Sequence, residues 1–111
     1  MEINKETLEA VLNENGYVGV KVKNIYLTRS TIIGKTNPRD TDYIILCDSL
    51  TPEFITIRVK DEAQFDLMFR DIEFYKKVLK FETSVNQVLW NIWHMFNIVI
   101  YEEEHLEFNM L

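Results

Sequence analysis

The strongest periodic pattern in this chain lies between residues 61 and 80, and it predicts one long helix. Apolar residues recur there at Phe65, Met68, Phe69, Ile72, Tyr75 and Leu79. This spacing places them on one side of a helix, whereas strict alternation would indicate a strand. Asp61 has N-cap chemistry, and Gln64 three residues later is a capping-box partner. Acids at the start and lysines at the end also match the helix dipole.

The N-terminal segment predicts a helix followed by a strand. Asn4 is a capping residue for a helix over residues 5–14, and Gly16 follows as its C-terminal residue. Residues 17–28 alternate between apolar and polar side chains, which indicates a strand. The apolar parity changes after Asn24, so a β-bulge or kink is expected near that residue.

Residues 43–60 predict a β-hairpin. Residues 43–48 form a nearly continuous apolar run, which indicates a strand buried on both faces. Residues 54–60 alternate again, and the intervening residues 48–53 have turn composition. The two strands are therefore expected to be neighbours in the sheet.

The C-terminal segment predicts a last helix over residues 83–97, which is apolar over much of its circumference. Residues 98–101 have strand composition and either add an edge strand or extend that helix. The element order is α-β-β-β-α-α(-β). It predicts an α+β fold in which a small antiparallel sheet of three to four strands carries helices on one face. The length of 111 residues predicts a single domain over residues 1–111.

Composition places the chain among globular proteins, since 47 % of its residues are apolar and it has only 3 glycines and 2 prolines. Cys47 is the single cysteine, which excludes an intramolecular disulfide. Because it lies in an apolar run, it is expected to be buried. The charged N-terminus has no secretory pattern, and together with the cysteine count this predicts a cytoplasmic location.

No catalytic, cofactor or metal site is predicted. The Gly34-Lys35-Thr36 tripeptide lacks the first glycine of a phosphate-binding loop. His94 and His105 do not have the spacing of a zinc site. The chain is therefore expected not to be an enzyme, and an enzyme with an unrecognised site is the third alternative.

The tryptophan-rich stretch over residues 86–108 does not predict a membrane segment. Five polar residues interrupt its apolar part, whereas a span needs roughly 20 nearly continuous apolar residues. An interfacial helix would carry lysine or arginine on its polar face, and none occurs after residue 82. No membrane partner is expected.

Charge is distributed unevenly along the chain. Residues 61–111 contain four Lys/Arg and ten Asp/Glu, which is the whole net charge of −6, while residues 1–60 are neutral. Direct nucleic-acid binding is not expected, because it needs a basic surface. The acidic half instead favours a protein partner with a basic surface.

These features predict a small acidic, non-catalytic protein-binding protein. It would inhibit a basic or nucleic-acid-binding partner by steric and electrostatic occlusion, as phage anti-defence and toxin-immunity proteins do. The candidate contact residues are aromatic anchors and acids, namely Trp90, Trp93, Tyr101, Glu102, Glu103, Glu104, Asp66 and Glu73. The alternative is an assembly protein that self-associates, as in a homodimer, through the same C-terminal aromatic surface.

Overall fold

The structure is a computed structural model that describes residues 1–28, 40–60, 64–80, 82 and 97–106. Its elements are α1 (Lys5–Glu14), β1 (Lys21–Thr28), β2 (Asp40–Asp48), β3 (Phe54–Lys60), β4 (Gln64–Asp71), α2 (Ile72–Leu79) and β5 (Asn97–Glu102). The described strands form one five-stranded sheet in the order β3-β4-β2-β1-β5. β2 and β4 are parallel, and the other neighbouring strands are antiparallel.

The predicted N-terminal helix is confirmed as α1. The Asn4 side-chain oxygen accepts a hydrogen bond from the Thr7 amide at 2.9 Å, and the Thr7 hydroxyl accepts one from the Asn4 amide at 3.3 Å. This reciprocal capping box satisfies amides that the first helical turn leaves without partners. Gly16 follows the helix with φ +89°, a conformation that side chains with a Cβ rarely adopt.

The predicted bulge in β1 is also confirmed. Val22 lies opposite Cys47 and Asn24 lies opposite Leu46, so one residue of β1 has no counterpart between them. The bulge shifts the alternation of side chains by one residue. As a result Val22 and Ile25 belong to the same core cluster although they are three residues apart.

The two helices cover opposite faces of the sheet. The cluster on the α1 face includes Leu8, Leu12, Val22, Ile25, Ile45 and Phe69. The cluster on the α2 face includes Tyr26, Ile44, Leu46, Met68, Ile72 and Tyr75. Neighbouring residues of β2 alternate between the two clusters, because successive side chains of a strand point to opposite faces. The prediction that the helices share one face is therefore wrong.

The predicted small antiparallel sheet and its 43–60 hairpin are also wrong. The sheet is mixed and has five strands, and β4 lies between β2 and β3. β2 is buried on both faces, and β4, with buried Leu67, Met68 and Phe69, pairs with it. β3 alternates between half-buried and exposed residues, which suits it to the edge of the sheet.

The predicted long helix over residues 61–80 is wrong in its first half. Residues 64–71 form β4, and only Ile72–Leu79 are helical, with Asp71 as the N-cap. As a strand residue, Asp66 pairs across the sheet with Arg58 on β3 at 2.8 Å. Residues 61–63 and residues 83–96 of the predicted last helix lie outside the described residues. Neither described helix is long and apolar enough to cross a membrane.

Candidate protein-binding edge

The sequence pattern at residues 98–101 is compatible with either a helix or a strand. The structure places these residues in β5, at one edge of the sheet. β5 pairs with β1 on its inner side, and no described strand pairs with its outer side. Ile98, Val99 and Ile100 are 37, 54 and 45 % exposed. Unpaired backbone groups next to exposed apolar side chains form a template for another strand. We call the outer side of Asn97–Glu102 the β5 edge.

A bulge interrupts the inner side of β5 at Ile100. Ile25 of β1 lies opposite Tyr101, and Tyr26 lies opposite Val99, so Ile100 has no counterpart on β1. A bulge increases the local twist of a strand and hinders pairing beside it. The regular part of the β5 edge is therefore Asn97–Val99, and Val99 is its most exposed described side chain.

The opposite edge of the sheet, β3, carries charged side chains in its second half. Its exposed positions are Phe54, Thr56, Arg58 and Lys60, of which Phe54 is 52 % exposed, and Pro52 comes shortly before the strand. Charged side chains and proline are devices by which edge strands avoid pairing with other chains. No charged side chain lies between Asn97 and Glu102 of β5. The two edges thus differ in charge, and β5 has the longer run of exposed apolar side chains among the described residues.

A groove lies beside the β5 edge, between the N-terminus of α1 and the end of β5. It has a volume of about 410 Å³ and is lined by Ile3, Asn4, Lys5, Glu6, Ile100 and Tyr101. Ile3 and Ile100 supply apolar surface, while Lys5 and Glu6 supply one charge of each sign. A strand added to an open edge places alternate side chains in such neighbouring pockets. We call this feature the α1 groove.

Glu102, Glu103 and Glu104, which we call the acidic turn, end β5 and bond to the rest of the protein. The Glu103 carboxylate accepts a hydrogen bond from Lys5 Nζ at 2.7 Å and another from the Tyr101 hydroxyl. Lys23 Nζ lies 3.7 Å from the same carboxylate. The bond from Lys5, followed by that from Tyr101, lowers the pKa of Glu103 to about 2. Glu103 is therefore ionised and paired at neutral pH.

The other two acids of the turn also have intramolecular partners. Glu104 pairs with Lys76 of α2 at 2.7 Å, and Lys76 pairs in turn with Glu73 at 3.1 Å. Glu102 accepts a hydrogen bond from the Tyr26 hydroxyl at 3.1 Å, and its other oxygen lies 3.0 Å from His105 Nδ1. The acidic turn thus connects β5 to α1 through Glu103 and to α2 through Glu104.

Asn24 holds the backbone of the acidic turn from inside the protein. Its buried side-chain oxygen accepts hydrogen bonds from the Glu103 and Glu104 amides, each at 3.1 Å. Its amide nitrogen donates to the Tyr26 hydroxyl and to the Glu104 carbonyl, each at 2.8 Å. A buried side chain with this many partners fixes the end of β5 in one position. The sequence pattern indicates Asn24 only as the site of the bulge.

The structure brings together only some of the predicted contact residues. Tyr101 and the acidic turn are adjacent at the end of β5, and Glu73 reaches them through Lys76. Asp66 lies on β4, which is separated from β5 by two strands, so it belongs to another part of the surface. Trp90 and Trp93 lie outside the described residues. The role of the whole set in partner binding stays a prediction.

Sequence reasoning did not assign Ile3, Ile98, Val99 or Ile100 to a contact site. The β-branched run at 98–100 was a usable signal, because such residues favour strands. Its position at an edge depends on the order of the strands, and its position beside Ile3 depends on where α1 packs. Neither is encoded in the local pattern.

The described residues include no group of three or more His, Cys, Asp or Glu side chains that could hold a metal ion. Cys47 is buried, as expected from the sequence, and its burial raises the pKa of the thiol to about 12. A thiol with such a pKa is protonated at neutral pH and is a poor nucleophile.

Comparisons of the chain with protein-family models, with curated proteins and with solved structures find no match.

Proposed function

We propose that this chain is a non-catalytic protein-binding protein of the inhibitor type, which occludes a partner with a basic surface. The observation that carries the proposal is the β5 edge, which has exposed apolar side chains and no described strand on its outer side, next to the α1 groove. Phage anti-defence and toxin-immunity proteins are the classes whose physical profile the chain shares. Its contact occurs by strand addition, in which backbone hydrogen bonds provide affinity and side-chain pockets provide specificity.

Electrostatics contribute to the encounter more than to the contact itself. Glu103 and Glu104 are engaged with Lys5, Lys23 and Lys76, so they are not available as isolated charges. The net charge of −6 already includes those lysines. This net charge attracts a basic surface over a longer range than the individual side-chain contacts do. Association with the partner is therefore faster at low ionic strength.

Occlusion follows from the position of the β5 edge at one side of the sheet. A partner segment that extends the sheet brings the partner's surface beside α1 and the acidic turn. That surface is then covered by the body of this protein. The inhibitory effect is steric, and it needs no catalytic group in this chain.

The test is to use immobilised wild type, Val99→Lys and Val18→Lys as baits in a bacterial lysate. Both variants make the same chemical change at an exposed valine, but only Val99 lies on the β5 edge. We expect one basic protein to be retained by wild type and Val18→Lys and to be lost from Val99→Lys, because a lysine on an edge opposes pairing. The captured basic protein should also be released from the bait as the salt concentration is raised.

The captured protein is then purified and combined with each variant. Hydrogen exchange should show slower exchange of the β5 amides in the complex than in the free protein. Equal binding by Val99→Lys and wild type, or unchanged exchange in β5, would exclude this edge as the binding site.

Self-association is the second candidate function, and the same β5 edge favours it. An unprotected edge strand pairs with a second copy as readily as with a foreign segment. This candidate corresponds to an assembly protein that uses its C-terminal surface.

A further inference from the structure

Arg70 is a buried cation that no carboxylate of the described residues neutralises. Its side chain is 3 % exposed, and with Asn24 it makes up the buried polar residues that the structure describes. None of the ion pairs within the described chain includes it. Burial lowers the pKa of its guanidinium. A buried cation without an anion is costly, because the attraction that normally offsets desolvation is missing.

We infer that Arg70 and Phe54 form a binding site for a carboxylate group carried on an apolar or aromatic body. Arg70 of β4 lies opposite Phe54 of β3, at the far side of the sheet from β5. The inference goes beyond the proposed function and does not rest on it, since neither residue belongs to the β5 edge.

The guanidinium of Arg70 has one side bonded and one edge open. Nη1 donates hydrogen bonds to the Phe69 carbonyl at 2.9 Å and to the Ile55 carbonyl at 3.3 Å. Nε and Nη2 have no acceptor in the part of the chain that the structure describes, and neither is a fully buried atom. These two nitrogens carry the parallel N–H groups that hold a carboxylate in a bidentate pair. The open edge therefore matches one carboxylate.

The two acids of β4 have other partners. Asp71, which follows Arg70 in the chain, accepts hydrogen bonds from the Leu50 and Phe74 amides through its two oxygens. Asp66 pairs with Arg58 at 2.8 Å. Neither carboxylate is available to the open edge of Arg70, so an anion from outside the chain can occupy it without displacing either contact.

Phe54 supplies an aromatic surface beside the cation. Its ring lies over the guanidinium, with Arg70 Cζ 5.9 Å from the ring centroid. The ring also packs against Phe74 of α2, with 5.9 Å between the two centroids. Phe54 is nevertheless 52 % exposed. An apolar or aromatic body attached to the carboxylate covers this surface, and its burial adds to the affinity.

The charge around the site favours a carboxylate over a phosphate. Arg70 is the only cation among the residues that form the site, and a single guanidinium edge suits a planar, singly charged group. The exposed Glu53 and Glu73 precede Phe54 and Phe74 in the chain. Together with the net charge of −6, these acids repel a doubly charged phosphate more strongly than a carboxylate.

The first experiment is an NMR titration of the arginine Nε–Hε signals of the full chain with phenylacetate, phenylacetamide and inorganic phosphate. We expect phenylacetate to shift the Arg70 signal saturably, with a Kd on the order of millimolar. Phenylacetamide has the same shape without the charge and should produce no shift. Phosphate should bind at least about tenfold more weakly. No shift with phenylacetate, an equal shift with phenylacetamide, or tighter binding of phosphate would overturn the inference.

The second experiment compares Arg70→Met and Arg70→Lys with Arg58→Met as the matched control. Phenylacetate at about ten times its Kd should raise the Tm of wild type and of Arg58→Met by roughly 3–6 °C. Arg70→Met should show no rise, and Arg70→Lys should bind at least about tenfold more weakly, because an ammonium group lacks the planar fork. A rise retained in Arg70→Met refutes the site.

The variant Arg70→Met is expected to fold, since a buried cation gives way to an apolar side chain of similar length. The comparison of phenylacetate with phenylacetamide needs no variant and tests the site in wild type. Val99→Lys lies on the other edge of the sheet and should leave phenylacetate binding unchanged, so this site and the β5 edge are tested independently.

A last titration identifies the source of the carboxylate. The probes are the peptide N-acetyl-Gly-Gly-Phe with a free C-terminus and the same peptide as its C-terminal amide. Tighter binding of the free-acid peptide than of phenylacetate assigns the site to the C-terminus of a polypeptide, and the reverse order assigns it to a small organic acid. Equal binding of the peptide acid and the peptide amide contradicts recognition of a carboxylate.

Discussion

Asn24 shows how much a single buried polar residue determines in this protein. Its side chain lies inside the protein. The oxygen accepts from two amides at the end of β5, and the nitrogen donates to the Glu104 carbonyl and to the Tyr26 hydroxyl of β1. A buried polar group without partners is costly, whereas a satisfied one specifies a single arrangement of its neighbours. The position of the β5 edge therefore depends on a residue in β1.

We expect Asn24→Ala to lower the free energy of unfolding by about 2–3 kcal/mol, because the Glu103 and Glu104 amides lose their side-chain acceptor. Tyr26→Phe should cost about 1 kcal/mol, since it removes one hydroxyl from the same network. The double variant should lose less than the sum of the two single variants. Urea unfolding measures all three, and a loss below about 0.5 kcal/mol for Asn24→Ala would show that water replaces the side chain.

Cys47 gives a second test at the scale of one residue. Burial raises the pKa of its thiol to about 12, far above neutral pH. A thiol reagent at pH 8 should therefore modify none of the folded protein within minutes and one thiol per chain after addition of denaturant, since Cys47 is the single cysteine. Rapid modification of the folded protein would show that the core around β2 opens easily.

At the scale of elements, the junction between β4 and α2 determines how the chain changes from strand to helix. The Asp71 carboxylate accepts a hydrogen bond from the Phe74 amide at 3.2 Å, which caps α2. Its other oxygen accepts one from the Leu50 amide at 3.1 Å, in the connection between β2 and β3. One side chain thus ends β4, begins α2 and attaches a loop from elsewhere in the chain.

We expect Asp71→Ala to lower the free energy of unfolding by about 1–2 kcal/mol, because the cap is lost. Asp71→Asn should lose less, since its amide oxygen can still accept the bond that caps the helix. Comparing the two variants separates the contribution of the helix cap to stability from the contribution of the hydrogen bond to the Leu50 amide. Equal losses for the two variants in thermal unfolding would show that the contact with Leu50 contributes most of the effect.

The elements also show where sequence reasoning succeeded and where it did not. Asn4 and Gly16 identified both ends of α1, because capping depends on residues a few positions apart. The pattern at residues 65–72 fits two periods at once: Phe65, Met68 and Phe69 follow helical spacing, whereas Phe65, Leu67 and Phe69 alternate. These residues form a strand because they pair with β2 on one side and with β3 on the other. The β5 edge was not predictable as a contact site for the same reason, since its exposure depends on strand order.

At the scale of the whole molecule, contacts between distant parts of the chain hold the layers together. Glu103 connects the end of β5 to Lys5 at the start of α1, and Glu104 connects it to Lys76 of α2 on the other face. The sheet lies between these two attachments. These two ion pairs attach the end of β5 to one helix on each face of the sheet.

The contribution of Glu103 to stability should depend on pH. Its pKa is about 2 in the folded protein, against an ordinary value of 4.5, so its contribution is fully present above about pH 4.5 and is lost as pH falls through about 2. NMR titration of the Glu103 carboxyl carbon should have its midpoint near the lower value in wild type. Lys5→Gln should move the midpoint towards 4.5, because it removes the main hydrogen-bond donor.

Lys76→Gln is the matched control for this titration. It removes the same kind of charge from Glu104 and does not touch the Glu103 carboxylate. The Glu103 midpoint should therefore be unchanged in that variant. A wild-type midpoint near 4.5 would mean that the Lys5–Glu103 pair does not persist in solution.

The sequence by itself determined the features that depend on near neighbours in the chain. These include the caps of α1, the bulge beside Asn24, the burial of Cys47 and the concentration of acid in the second half. Tertiary structure alone decided that residues 64–71 are a strand, that β4 separates β2 from β3, and that β5 is an edge. The physical reason is that capping and periodicity act over a few residues, whereas strand order depends on which apolar strands cover one another across the whole sheet.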